Sequence, residues 1–122
     1  MILTRQGNKT RIADKLYLQF PQHKTYIELF FGAGGMFFNK PLAQNNICND
    51  IDCDVFNLWN EVKFNRDALL KELEQLPIHD EIWKTYKKQK PLNNTIRAAL
   101  FLMYSNFGYM GKPDSLGFSA SC

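Results

Sequence analysis

Apolar residues recur at Ala13, Leu16, Tyr17 and Phe20, the i, i+3, i+4, i+7 spacing of one helix face, which predicts an opening amphipathic helix closed by Pro21. The period then changes. Residues 25–31, TYIELFF, form a nearly continuous β-branched and aromatic run, as expected for a strand buried on both faces. Gly32, Gly34 and Gly35 end that run, and Met36 to Lys40 can restart as a helix until Pro41 stops it. Residues 46–49, NICN, predict a second strand. Val55, Leu58, Trp59 and Val62, then Leu69, Leu70, Leu73 and Leu76 before Pro77, again fit the helical template. The order is βαβα, the parallel crossover unit of α/β folds, whose handedness leaves little topological freedom. After Pro77 the pattern becomes wholly helical: Ile82, Trp83 and Tyr86, then Asn94 as the expected cap of a helix from Ile96 to Tyr104. The tail from Ser105 to Cys122 carries three glycines and a proline with no sustained period, which predicts loop or hairpin. A parallel sheet normally has several strands covered on both faces, so two strands imply a fold that stops before it is complete.

Length sharpens this picture. The 122 residues, 45% apolar and 22% charged, suffice for one domain, which excludes a complete large enzyme as well as a disordered or collagen-like chain. No run approaches the roughly 18 apolar residues of a membrane span, and the start MILTRQGNKTR lacks a secretory core, so a cytoplasmic location without membrane contact is expected. The net charge of +3 is unevenly spread: residues 1–24 and 83–122 are basic, and residues 25–82 are acidic. The basic residues Lys84, Lys87, Lys88, Lys90, Arg97 and Lys112 fit either a solvated helix face or contacts to phosphate. Cys48, Cys53 and Cys122 lack paired metal-ligand spacing, and with no clustered histidine they are expected to be buried or bystander thiols rather than a metal site.

The chemistry concentrates at FFGAGG. A glycine-rich turn between strand and helix brings backbone close to a ligand and exposes N–H groups to a carboxylate or phosphate. The dinucleotide fingerprint would need glycine where this chain has Phe37, which disfavours an ordinary nicotinamide site. Asp50 follows the second strand, where a carboxylate can accept hydrogen bonds from ribose hydroxyls; turn and acid together point to an adenosine-containing ligand. Taken singly, the glycines also fit a plain tight turn, and Asp50 a cap for the helix beginning near Asp52. Glu28, at the end of the first strand, can attract a cationic ligand group or point to water.

The order Arg5-Gln-Gly-Asn-Lys9, TYIELFFGAGGMFFNKP, NNICNDIDCDVFNLWNEVK and ALFLMYSNFGYMGK resembles the DNA adenine N6-methyltransferases of the Dam type, from Arg5 to about Phe118. The resemblance implies an α/β, partial Rossmann-like fold that binds S-adenosyl-L-methionine, followed by the start of a helical target-recognition region. It implies residues 1–77 as the partial cofactor-binding domain and 78–122 as the beginning of DNA recognition. Lys9, with Arg5 where an aromatic often sits, matches the cofactor-contacting N-terminal block. Glu28, Phe30, Gly32, Gly34 and Gly35 match the methionine-side pocket, and Asp50 with Ile51 the ribose-holding acid. Tyr109, Met110 and Lys112 match the region that enters double-stranded DNA beside the flipped adenine. The family's catalytic Asp/Asn-Pro-Pro-Tyr/Phe loop has no counterpart, because the prolines at 21, 41, 77, 91 and 113 are never adjacent. The chain therefore looks like the N-terminal part of such an enzyme, carries no catalytic residue of its own and is expected to be inactive alone; the complete enzyme would be a monomer using no metal. The alternative is a non-catalytic adenosine- or DNA-binding remnant, and methylation of RNA or a protein amide is a third possibility that the tail block argues against.

Overall fold

A computed structural model describes residues 2–108. A single 3₁₀ turn at Thr10–Ile12 leads into α1 (Ala13–Tyr17), then β1 (Thr25–Glu28), a 3₁₀ turn at Phe37–Asn39, β2 (Asn45–Cys48), α2 (Cys53–Phe64), α3 (Arg66–Gln75), α4 (Asp80–Lys88) and α5 (Asn94–Phe107). β1 and β2 pair in parallel, with Thr25 opposite Asn45 and Glu28 opposite Cys48. The chain is thus a mixed α/β unit with a small parallel sheet.

α5 is the centre of the packing. Every residue from Ala98 to Ser105 is buried, so this stretch of the helix needs neighbours on each side. Ala98, Ala99, Phe101 and Leu102 meet Leu3, Ala33, Val55, Leu58 and Leu69 in the main core, which therefore draws on both sides of Pro77. On the other side, Leu100, Met103 and Tyr104 pack on Trp83 and Tyr86 of α4, with the Trp83 and Tyr104 rings 4.4 Å apart. A side chain as enclosed as Leu58 contributes about 1.5–3 kcal/mol by leaving water. Polar groups fasten α2 to α5: the Asn57 amide donates to the Asn94 carbonyl at 2.8 Å, and Thr95 Oγ1 donates to the buried Glu61 at 2.7 Å.

Several boundaries differ from the sequence pattern, each for a local reason. The opening α-helix stops at Tyr17, and a 3₁₀ turn precedes it. The run 25–31 is strand only to Glu28, and it is covered on one face. Tyr26 is buried with Ala13 and Met36, whereas Ile27 and Ile47, paired across the sheet, are both exposed. In place of a helix over 36–40 the crossover holds one 3₁₀ turn, because the Gly34 φ of +68° and Pro41 confine it to a few residues. Asn93, not Asn94, caps α5, its Oδ1 accepting from the Ile96 N–H at 3.0 Å, and that helix continues past Tyr104 to Phe107. Cys48 and Cys53 are exposed free thiols, which fits the bystander alternative and not the buried one.

Candidate functional site

The sheet ends where the candidate residues begin. Beyond β1 the ladder runs on through Asn49 N–H to Glu28 C=O and Phe31 N–H to Asn49 C=O, both 2.8 Å. Gly32 then turns with φ +51°, and its N–H donates to Asp50 Oδ2 at 2.7 Å. The other carboxylate oxygen of Asp50 accepts the Asp52 N–H at 3.0 Å, and Asp52, not Asp50, caps α2 by accepting the Asp54 N–H at 2.9 Å. From α2 the indole N–H of Trp59 donates to the Gly32 carbonyl at 2.9 Å, so the peptide units on either side of the Gly32 Cα are both held from the segment after β2. A carboxylate has about four acceptor positions, so Asp50 with two backbone donors retains capacity for more.

The N-terminal segment crosses this turn. A Cβ at Gly35 would lie 1.7 Å from Asn8 Oδ1, so only glycine permits the contact. Asn8 Oδ1 in turn accepts from Thr10 N–H at 3.2 Å, opening the 3₁₀ turn. Between strap and turn lies a hollow of about 80 Å³ lined by Arg5, Gly7, Lys9, Glu28, Phe30 and Gly32. Six sequence-predicted residues, Arg5, Lys9, Glu28, Phe30, Gly32 and Gly35, thus come together. Asp50 reaches the hollow only through the Gly32 N–H and itself borders an adjoining aromatic hollow of about 520 Å³ with Phe31, Phe38 and Trp59. Gly34 borders a third hollow, with Ile2 and Thr10, and Ile51 lines none of these three, its side chain standing 89% exposed. Tyr109, Met110 and Lys112 lie outside the described residues.

Charges are arranged unevenly around the hollow. Lys9 Nζ folds back to the Gly7 carbonyl at 2.8 Å, whereas Arg5 Nη1 meets Asp52 Oδ2 at 2.7 Å. Burial raises the Asp52 pKa, but the hydrogen bonds from Arg5 and from the Asp54 N–H outweigh it and hold this carboxyl below the ordinary range. Glu28 shifts the other way. Its partial burial pushes the pKa up, against the opposing hydrogen bond from the Tyr26 hydroxyl at 2.9 Å and the attraction of Lys40. Lys40 is itself buried, its ammonium 3.9 Å from the centre of the Tyr26 ring.

Trp59, Asp52 and Tyr26 are structural partners of the site that the hydrophobic pattern hides. Trp59 and Tyr26 read as core aromatics, although a buried indole or phenol needs a polar partner; Asp52 sits two residues past Asp50 in a run of acids. Of the basic residues on the last two helices and the connection between them, Lys84 pairs with Asp80 and Glu81, while Lys90 and Arg97 both pair with the buried Asp54. Lys87 lies over the Trp83 ring.

A family model of the D12 class N6 adenine-specific DNA methyltransferases matches residues 6–115, which include the glycine turn, Asp50 and α5. The chain belongs to this family. Among relatives of this D12-class chain, the DNA adenine methylase of Haemophilus influenzae is 32% identical over 113 residues, 86% of this chain and 39% of that protein. The DNA adenine methylase of Escherichia coli K12 is 28% identical over 111 residues, 86% of this chain and 40% of that protein, and that of Serratia marcescens is 30% identical over 105 residues. The D12-class chain therefore spans about two fifths of the length of these curated relatives. Among the described residues no helix is long and apolar enough to cross a membrane.

Proposed function

We propose that the turn at Gly32, with Asp50 and the N-terminal strap, binds S-adenosyl-L-methionine for transfer of a methyl group to N6 of adenine in double-stranded DNA. The observation that carries this reading is the 2.7 Å hydrogen bond from the Gly32 N–H to Asp50, which ties a left-handed glycine turn to a carboxylate at the ends of two parallel strands. That pairing of backbone and acid suits an adenosine ligand. A Rossmann-like arrangement for the complete enzyme accords with the parallel pair and with the family.

The donor chemistry around the hollow fits the ligand. Asp50 retains acceptor capacity for ribose hydroxyls. Glu28, partly desolvated, gains by meeting a cationic amino group, and Lys9 can turn from the Gly7 carbonyl to a ligand carboxylate. The hollow of about 80 Å³ accommodates only the amino-acid end, well short of the roughly 300 Å³ or more of a pocket that encloses a whole ligand. Phe30 and Ile51, both largely exposed, supply apolar surface for the remainder. When bound, the cofactor supplies an electrophilic methyl group on a positively charged sulfur. The chain's own residues bind and orient; residues 1–77 carry that role, and 78–122, including Tyr109, Met110 and Lys112, begin the contact with DNA. With no Pro-Pro pair to hold the adenine amine, these 122 residues alone transfer no methyl group.

Calorimetry with S-adenosylhomocysteine tests the reading. Asp50→Ala removes charge-assisted hydrogen bonds worth about 1.5–3 kcal/mol each, so affinity falls tenfold or more. Unchanged affinity removes Asp50 from the site, and transfer of labelled methyl to duplex DNA by the 122-residue chain refutes its inactivity.

A further inference from the structure

The strap between Leu3 and Thr10 is held at both ends. Leu3 is fully buried, the Thr4 N–H donates to Asn106 Oδ1 at 2.9 Å, and Asn106 Nδ2 donates to the Ile2 carbonyl at 2.8 Å. At the far end Asn8 presses on Gly35. Residues 5–9, which form one wall of the hollow, have no strand pairing and no regular helix. A tie across this span is the Arg5–Asp52 pair, 47 positions apart in sequence and 2.7 Å apart in space.

Asp52 is a rigid anchor for such a tie. Its Oδ1 caps α2 at Asp54, its N–H is held by Asp50 Oδ1, and the second oxygen of Asp50 holds the Gly32 N–H. One polar chain, Arg5 to Asp52 to Asp50 to Gly32, therefore joins the strap wall of the hollow to its glycine wall. We infer that Asp52 is a positioning residue for the methyl-donor site, fixing the strap through Arg5 so that both walls of the hollow are set before the ligand arrives. The inference rests on the cofactor reading above. It also accounts for Arg5 at a position where the resemblance expects an aromatic: its guanidinium has a dedicated carboxylate and serves the protein rather than the ligand. Both side chains are about one-third exposed, so the pair responds to salt.

The test uses the full 122-residue chain with Arg5→Met, Asp52→Ser and the double variant; serine keeps the α2 cap while removing the reach to Arg5. Amide hydrogen exchange is measured first without ligand. Each single variant speeds exchange at residues 6–10 about three- to fivefold, a typical size for a partly exposed pair, with α2 amides unchanged and the double variant no faster than either single. Raising salt to about 1 M speeds the same amides in the unaltered chain and not in Asp52→Ser, and Arg5→Lys restores part of the protection. S-adenosylhomocysteine affinity then falls about three- to fivefold in each single variant, and no further in the double. Single effects that multiply in the double overturn the tie. Coupled exchange with unchanged affinity overturns the positioning role. If the unaltered chain binds no S-adenosylhomocysteine while exchange stays coupled, the cofactor reading falls and with it the positioning role, but the tie itself stands.

Discussion

Arg97→Met should destabilise the chain more than Asp54→Asn, although the two substitutions break the same ion pair. The Asp54 side chain is 7% exposed and accepts from Arg97 Nε at 2.6 Å and from Lys90. Arg97 is 25% exposed and Lys90 53%, so either cation can turn to water once Asp54 is neutral. Asp54→Asn keeps the volume and loses charge-assisted bonds at partly wet partners, a cost of about 1–2 kcal/mol. Arg97→Met leaves a desolvated carboxylate facing one largely exposed lysine. Removing one partner from a fully buried pair costs about 3–5 kcal/mol, and the surviving Lys90 reduces this to about 2–3 kcal/mol. The double variant should cost less than the sum of the singles, because the stranded charge is gone. Urea unfolding followed by circular dichroism, with equal slopes across the series, measures all three. Asp54→Asn costing as much as Arg97→Met, or strict additivity, would refute the asymmetry of burial on which the ordering rests.

Gly35→Ala should displace the strap from the turn, since its Cβ would overlap Asn8 Oδ1; a cost of about 1–3 kcal/mol in urea unfolding and faster amide exchange at residues 7–10 are expected. Tyr26→Phe keeps the ring beneath Lys40 and loses the hydroxyl that donates to Glu28, so unfolding free energy should drop by about 1 kcal/mol. The two shifted carboxyls act in opposite directions with pH. Asp52, depressed, adds stability that is present above about pH 4 and lost as pH falls through its folded value, and Arg5→Met should flatten that loss. Glu28, raised by burial, adds stability that is present below about pH 4 and lost as pH climbs through its folded value, so Glu28→Gln should flatten the decline on that side.

The long helices and the parallel pair were legible because their signals are local: the Val55, Leu58, Val62 stripe and the 25–28 run each bury a face that the sequence spacing reveals. The crossover was not, because five residues between glycines and a proline can satisfy a helical pattern yet have room for only one 3₁₀ turn. One-sided cover of the sheet also escaped the pattern, since a continuous apolar run reads the same whether or not both faces have neighbours. At the candidate site, glycines plus Asp50 pointed to one place, and six of the named residues share its hollow. The Arg5–Asp52 pair and the Trp59 bond to Gly32 depend on how the chain returns over itself, 47 and 27 positions apart, which no periodicity encodes.

The central claim, that the Gly32 turn with Asp50 and the strap grips the methyl donor, is tested most directly by nuclear magnetic resonance of the labelled 122-residue chain titrated with S-adenosylhomocysteine. Saturable shifts concentrated at the amides of Gly32, Asp52 and residues 5–9 are predicted. Shifts confined to α3 and α4, or none at ligand concentrations in the millimolar range, would contradict it.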